Sequence, residues 1–165
     1  MGLDISVYLE IEKCDEDYGD DYDRGYEDGA IHLTVEESFK DAADGYYGWY
    51  TYDSSDGFRA GSYGGYNFWR ANLAKLIGKT DSQIWENPEP GPFVELINFS
   101  DAEGTIGPKT SDKLAKDFAD WHERAIEFSK SLDDPDSAKY FISLYEKWMN
   151  AFTDAAEHDG VITFH

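Results

Sequence analysis

The chain opens on strict alternation. Ile5, Val7, Leu9 and Ile11 fall on one side of an extended segment, and Ser6, Tyr8, Glu10 and Glu12 on the other. That period predicts a half-buried strand. A second strand is predicted at Ala30–Val35 (AIHLTV), forming a hairpin with the first across a long connection. Thr34, with Glu37 three residues later, predicts a capped short helix over TVEESFKDAA. The Gly- and aromatic-rich stretch from Tyr46 to Tyr66 reads as strand and loop.

The second half changes to a helical period. Trp69, Leu73, Leu76 and Ile77 share a face, and Gly78 ends that helix. PGPFVELINFS is read as a short helix with Pro92 in its first turn. Leu114, Phe118, Trp121, Ala125 and Phe128 form a long stripe capped by Thr110 or Ser111. Phe141, Leu144, Trp148, Phe152 and Ala155 form another, with Asp134 as cap, Pro135 at the first helical position and Gly160 as stop. The closing VITFH reads as a strand returning to the first one. The expected fold is a single α+β domain over residues 1–165. A small antiparallel sheet, made of the N-terminal hairpin and the C-terminal strand, packs against three to four helices.

Composition qualifies this picture. The 165 residues suffice for one core, and 16% aromatic content argues for a folded chain. There are 35 acids against 14 Lys and Arg, a formal charge of −21. Such a field repels nucleic acid and anionic lipid and attracts basic partners. No apolar run is long enough to cross a membrane, and the N-terminus has no signal-peptide pattern. Cys14 is the only cysteine, which suits the cytoplasm.

The charge is uneven. Residues 1–60 carry 17 acids and 4 bases, net −13, while the longer remainder carries net −8. Its focus is Asp15–Asp28, a predicted connection, where eight of fourteen residues are acidic: Asp15, Glu16, Asp17, Asp20, Asp21, Asp23, Glu27 and Asp28. Tyr18, Tyr22 and Tyr26 recur every fourth position among them. An extended acidic run advances ~3.3 Å per residue, close to the ~3.4 Å phosphate spacing of a DNA strand. These eleven residues are therefore candidates for binding a basic, nucleic-acid-binding partner in place of phosphates. A solvated loop, or a general salt adaptation, explains the same composition without a partner.

A second candidate site is GFRAGSYGGYNFWR. Its glycines run into a helix start, where amide groups attract anions. Arg59 and Arg70 could grip a phosphate or carboxylate, and Tyr63, Tyr66 and Trp69 could stack on a base. The stretch matches no nucleotide-binding fingerprint. The alternative assigns Trp69 to the core and Arg70 to an ion pair.

No metal or cofactor site is expected. FSDAEGTIG resembles a calcium loop only in its middle, because Phe99 and Thr110 stand where ligands are needed. His32, His122, His158 and His165 are scattered, and no nucleophile motif appears. The reading leans away from an enzyme.

The opening MGLDISVYL and the contiguous Trp69, Arg70, Ala71 and Asn72 resemble small uncharacterised proteins of phages and prophages. Those often begin Met-Gly-Leu-Asp, and some carry a Trp-Arg-x-Ala-Asn-like helix; here the intervening residue is missing. The resemblance implies a phage or mobile-element source and no known chemistry; it favours, among functions, proteins that interfere with host machinery.

Overall fold

The computed structural model describes residues 1–165. Strand β1 (Gly2–Leu9) turns Leu3, Ile5 and Val7 into the core, as its alternation requires. It pairs antiparallel on one edge with β5 (Ser54–Ser62) and on the other with β7 (Val161–Phe164). Strand β6 (Gly104–Ile106) extends the sheet beyond β7, giving the order β5-β1-β7-β6. A second sheet has the order β2-β4-β3, from β2 (Glu12–Lys13), β4 (Gly48–Thr51) and β3 (Ile31–Leu33).

The α+β class and the return of the C-terminal strand to β1 agree with the sequence reading. The expected hairpin partner does not. β3 pairs with β4, Ile31 opposite Tyr50 and Leu33 opposite Gly48, and never with β1. Both edges of β1 are already taken. At its end Glu10 adopts φ 50°, and the amides of Glu10 and Ile11 donate to His158 and Asp159 carbonyls, which turns the chain into the second sheet. There Ile31, Leu33 and Tyr50 bury themselves against Val161 and Tyr8, so the small sheet leans on one end of the main sheet's outer face.

Helices cover the inner face. Helix α2 (Tyr63–Leu76) begins directly after β5, with Ser62 Oγ accepting from the Gly65 amide. It ends at Gly78, whose φ of 78° suits glycine. Helix α3 (Asp81–Glu86) was not expected. Its signature is a reciprocal capping box between Thr80 and Gln83. Helix α4 (Val94–Ile97) is a single turn, and Pro92 lies before its cap Phe93 rather than inside it.

Helices α5 (Pro108–Lys130) and α6 (Pro135–Glu157) pack along each other. On α6 all five stripe residues are buried. On α5, Leu114, Phe118 and Ala125 are buried, and Trp121 and Phe128 sit at the margin. Asp134 caps α6 as expected, accepting from Asp136 and Ser137 amides. Helix α5, however, starts three residues early, after Gly107. Asp44 of a distant loop holds its first turn, accepting from the Thr110 amide at 2.8 Å and hydroxyl at 3.0 Å. Glu37–Ala43 forms a kinked 3-10 helix that Thr34 does not cap; the Thr34 carbonyl accepts from Thr105 instead.

The main core is aromatic. Trp148 lies 6.3 Å from Trp69 and 5.4 Å from Phe152, ring centre to ring centre, and Phe118 lies 4.6 Å from Tyr145. Truncating either Trp148 or Phe118 to alanine leaves a large void, so each variant should lose about 3–5 kcal/mol of stability in urea unfolding. A loss below about 1 kcal/mol for both would place these rings outside the core.

Candidate functional site

The residues proposed for an anion site are not brought together. Arg70 is only 4% exposed. Its Nη1 donates to the carbonyls of Ile97 at 3.2 Å and Phe99 at 2.6 Å. Its Nη2 meets Asn67 Oδ1 and lies 3.8 Å from Asp101 Oδ2. The guanidinium also sits over the Tyr66 ring at 4.9 Å. Tyr66 and Trp69 are themselves buried, and Trp69 Nε1 donates to the Phe141 carbonyl. Burial pushes the Tyr66 hydroxyl well above its usual range, against the opposing pull of Arg70.

Arg59 is engaged elsewhere, with both oxygens of Asp4 at 3.0 and 3.1 Å. Tyr63 and Arg59 line separate cavities, and Tyr66, Trp69 and Arg70 line neither. The anion-site reading of Arg59, Tyr63, Tyr66, Trp69 and Arg70 is therefore withdrawn. Arg70 is a structural tie between α2 and the segment after α4. The helical spacing carried that signal, since Tyr66, Trp69, Arg70, Leu73 and Ala74 form one buried stripe.

FSDAEGTIG forms a loop and strand of the fold. Asp101 accepts from Asn67 at 2.7 Å, and Gly104–Ile106 is β6. No three His, Cys, Asp or Glu side chains gather to hold a metal ion.

The acidic run is a folded flap, not an extended strand. Helix α1 (Tyr22–Glu27) occupies its second half, capped by Asp21. That overturns the extended-chain spacing argument, because a helix rises ~1.5 Å per residue. The tyrosines have an internal task. Tyr18, Tyr22 and Tyr26 surround Trp49, with ring centres at 5.1, 5.7 and 5.6 Å. Trp49 Nε1 donates to the Gly19 carbonyl at 3.2 Å. Gly25 lies flat on the Trp49 ring, where any Cβ would overlap it. The four-residue tyrosine spacing was the visible signal, and Trp49 was the partner that sequence reading missed.

This clamp seats the backbone that carries the carboxylates. Arg24 bridges to Glu16 at 2.6 Å and more loosely to Asp28 at 4.0 Å. Asp17 and Asp21 accept amide hydrogens from Gly19 and Arg24. Asp15, Asp20, Asp23 and Glu27 make no ion pair or hydrogen bond. Tyr22 and Tyr26 remain 42% and 56% exposed.

Between the flap and the small sheet lies a cavity of about 310 Å³, walled by Tyr22, His32, Tyr47 and Trp49 and edged by Asp15, Glu16, Asp17 and Asp20. His32 Nδ1 is buried there without a partner. Burial lowers the His32 pKa, helped by Lys13 and opposed by Asp17 and Asp20. Lys13 also lines the cavity, its Nζ donating to the Tyr47 carbonyl at 2.5 Å and lying over Tyr50.

No family model, curated protein or solved structure matches the chain. No helix is long and apolar enough to cross a membrane.

Two substitutions check these assignments. Arg70→Met leaves the Phe99 carbonyl and Asn67 Oδ1 without their donor, while the Ile97 carbonyl keeps Trp85 Nε1, and should cost about 1–3 kcal/mol in urea unfolding. An unchanged stability would mean the guanidinium is free. Gly25→Ala should lift the flap off Trp49 and expose residues 15–28 to limited proteolysis, while the rest of the chain stays resistant. Equal resistance of the variant and the wild type would show that Gly25 does not seat the flap.

Proposed function

We propose that the chain is a non-enzymatic, acidic binding protein that covers the phosphate-binding face of a basic, nucleic-acid-binding partner. The observation that carries this reading is the dense array of carboxylates on a flap whose backbone is seated on Trp49. Four of them form no ion pair, and Asp23 and Glu27 stand one helical turn apart, where like charges repel. Nothing inside the fold offsets that repulsion; a cationic surface would. Exposed Tyr22 and Tyr26 add apolar contact area beside the charges.

The cavity behind the flap supports the same chemistry. Aromatic walls attract a guanidinium or ammonium group, and carboxylates at the rim hold it. Lys13 opposes such a cation, but four carboxylates edge the same space. The partner we propose is a host defence protein in the cytoplasm, and the source a phage or other mobile element. The opening Met-Gly-Leu-Asp and the lone Cys14 are the features that favour this.

The test replaces Asp15, Glu16, Asp17, Asp20, Asp21 and Asp23 by Asn or Gln. Asn still caps turns and helices, so the fold and melting temperature should hold. A basic partner captured by the wild type should bind the variant about tenfold or more weakly, and DNA should compete with the wild type for it. Wild-type affinity should also fall with salt. Equal affinity of the two proteins, or capture indifferent to DNA, would remove the flap from the interface.

A further inference from the structure

The largest cavity borders the flap at Tyr26 and meets the smaller cavity at His32, but no carboxylate of the acidic run lines it. The small sheet covers only the Tyr8–Val161 end of the main sheet's outer face. Beyond it a trough of about 670 Å³ runs toward the start of α2 and the loop before β6. Tyr8, Tyr26 and Tyr63 line it, with Thr163 from β7 and His165 from the residue just after that strand. Ser6 Oγ and His165 Nε2 are 2.8 Å apart, a contact that orients the imidazole.

The lining chemistry is unusual for this protein. In a chain of net charge −21, only one Asp, Glu, Lys or Arg side chain, Glu103, borders the trough. Its volume lies within the ~300–1,000 Å³ usual for small-molecule sites. Phenol rings offer stacking surfaces for a flat ring. Thr163, His165 and Glu103 offer hydrogen-bonding groups at its edge, with Glu103 suited to an exocyclic amine. The surrounding negative field and Glu103 disfavour a phosphate.

We propose that this trough binds an uncharged nucleoside, stacked on tyrosine and held by its edge, and that it excludes the corresponding nucleotide. The flap contributes Tyr26 to this site and none of its carboxylates.

Calorimetric titration with adenosine, guanosine, cytidine and uridine, each beside its 5′-monophosphate, tests this. At least one nucleoside should bind saturably, and its monophosphate about tenfold more weakly at low salt. Tyr63→Ala should weaken binding about tenfold and Tyr63→Phe should restore it. Thr163→Val keeps the strand's shape and should weaken binding several-fold. The variant carrying amides at Asp15–Asp23 should bind the nucleoside as the wild type does, which separates this site from the partner surface. The proposal fails if no nucleoside binds up to about 1 mM. It also fails if Tyr63→Ala and Thr163→Val, each confirmed folded by its melting curve, bind as the wild type does. Equal affinity for nucleoside and monophosphate at low salt, or preference for a simple sugar over every nucleoside, likewise overturns it.

Discussion

The backbone of Gly2–Leu9 is hydrogen-bonded on both edges, to Ser54–Ser62 on one and Val161–Phe164 on the other. Its side chains are engaged on both faces. Leu3, Ile5 and Val7 meet the aromatic core, while Tyr8 packs beside Val161 under the small sheet. Because both edges are closed, the next strand-forming segments have to pair with each other. That constraint creates the second sheet, and the second sheet presents Trp49. The acidic flap and both cavities follow from it.

Net charge works against compactness, and the fold answers with uncharged contacts. Trp69, Trp148, Tyr66 and Phe152 are packed ring on ring between the sheet and α6. The flap uses the same device on a small scale. Three tyrosines and a glycine on one tryptophan hold eight carboxylates with only Arg24 in their midst. Aromatic contact is indifferent to salt, whereas surface ion pairs are weak and screened. A platform held this way keeps its geometry while its charges stay available.

Periodic elements were legible because one face of each is buried. β1, α5, α6 and β7 follow directly from residues such as Ile5, Phe118, Trp148 and Val161. Pairing was less legible. Alternation marks Ile31 and Leu33 as a strand but does not say that Tyr50, rather than Val7, lies beside them. Capping by distant residues was invisible too, as Asp44 on α5 shows. For the sites, residue type misled where burial decided. Arg70 looked like an anion grip and is an internal tie, although its place on the Tyr66–Leu73 stripe pointed inward. The tyrosines of the acidic run looked only like contact area for a partner, and all three also pack on Trp49.

The account turns on whether the acidic segment is an ordered platform in the free protein. Native-state hydrogen exchange of the isolated chain addresses this directly. The amides of Gly25, Asp28 and Gly29 donate to the carbonyls of Asp21, Arg24 and Tyr26, so they should be protected well above unfolded-chain rates, at low salt and at high salt alike. Exchange of residues 15–28 at the rate of an unstructured peptide, with the core amides still protected, would contradict it.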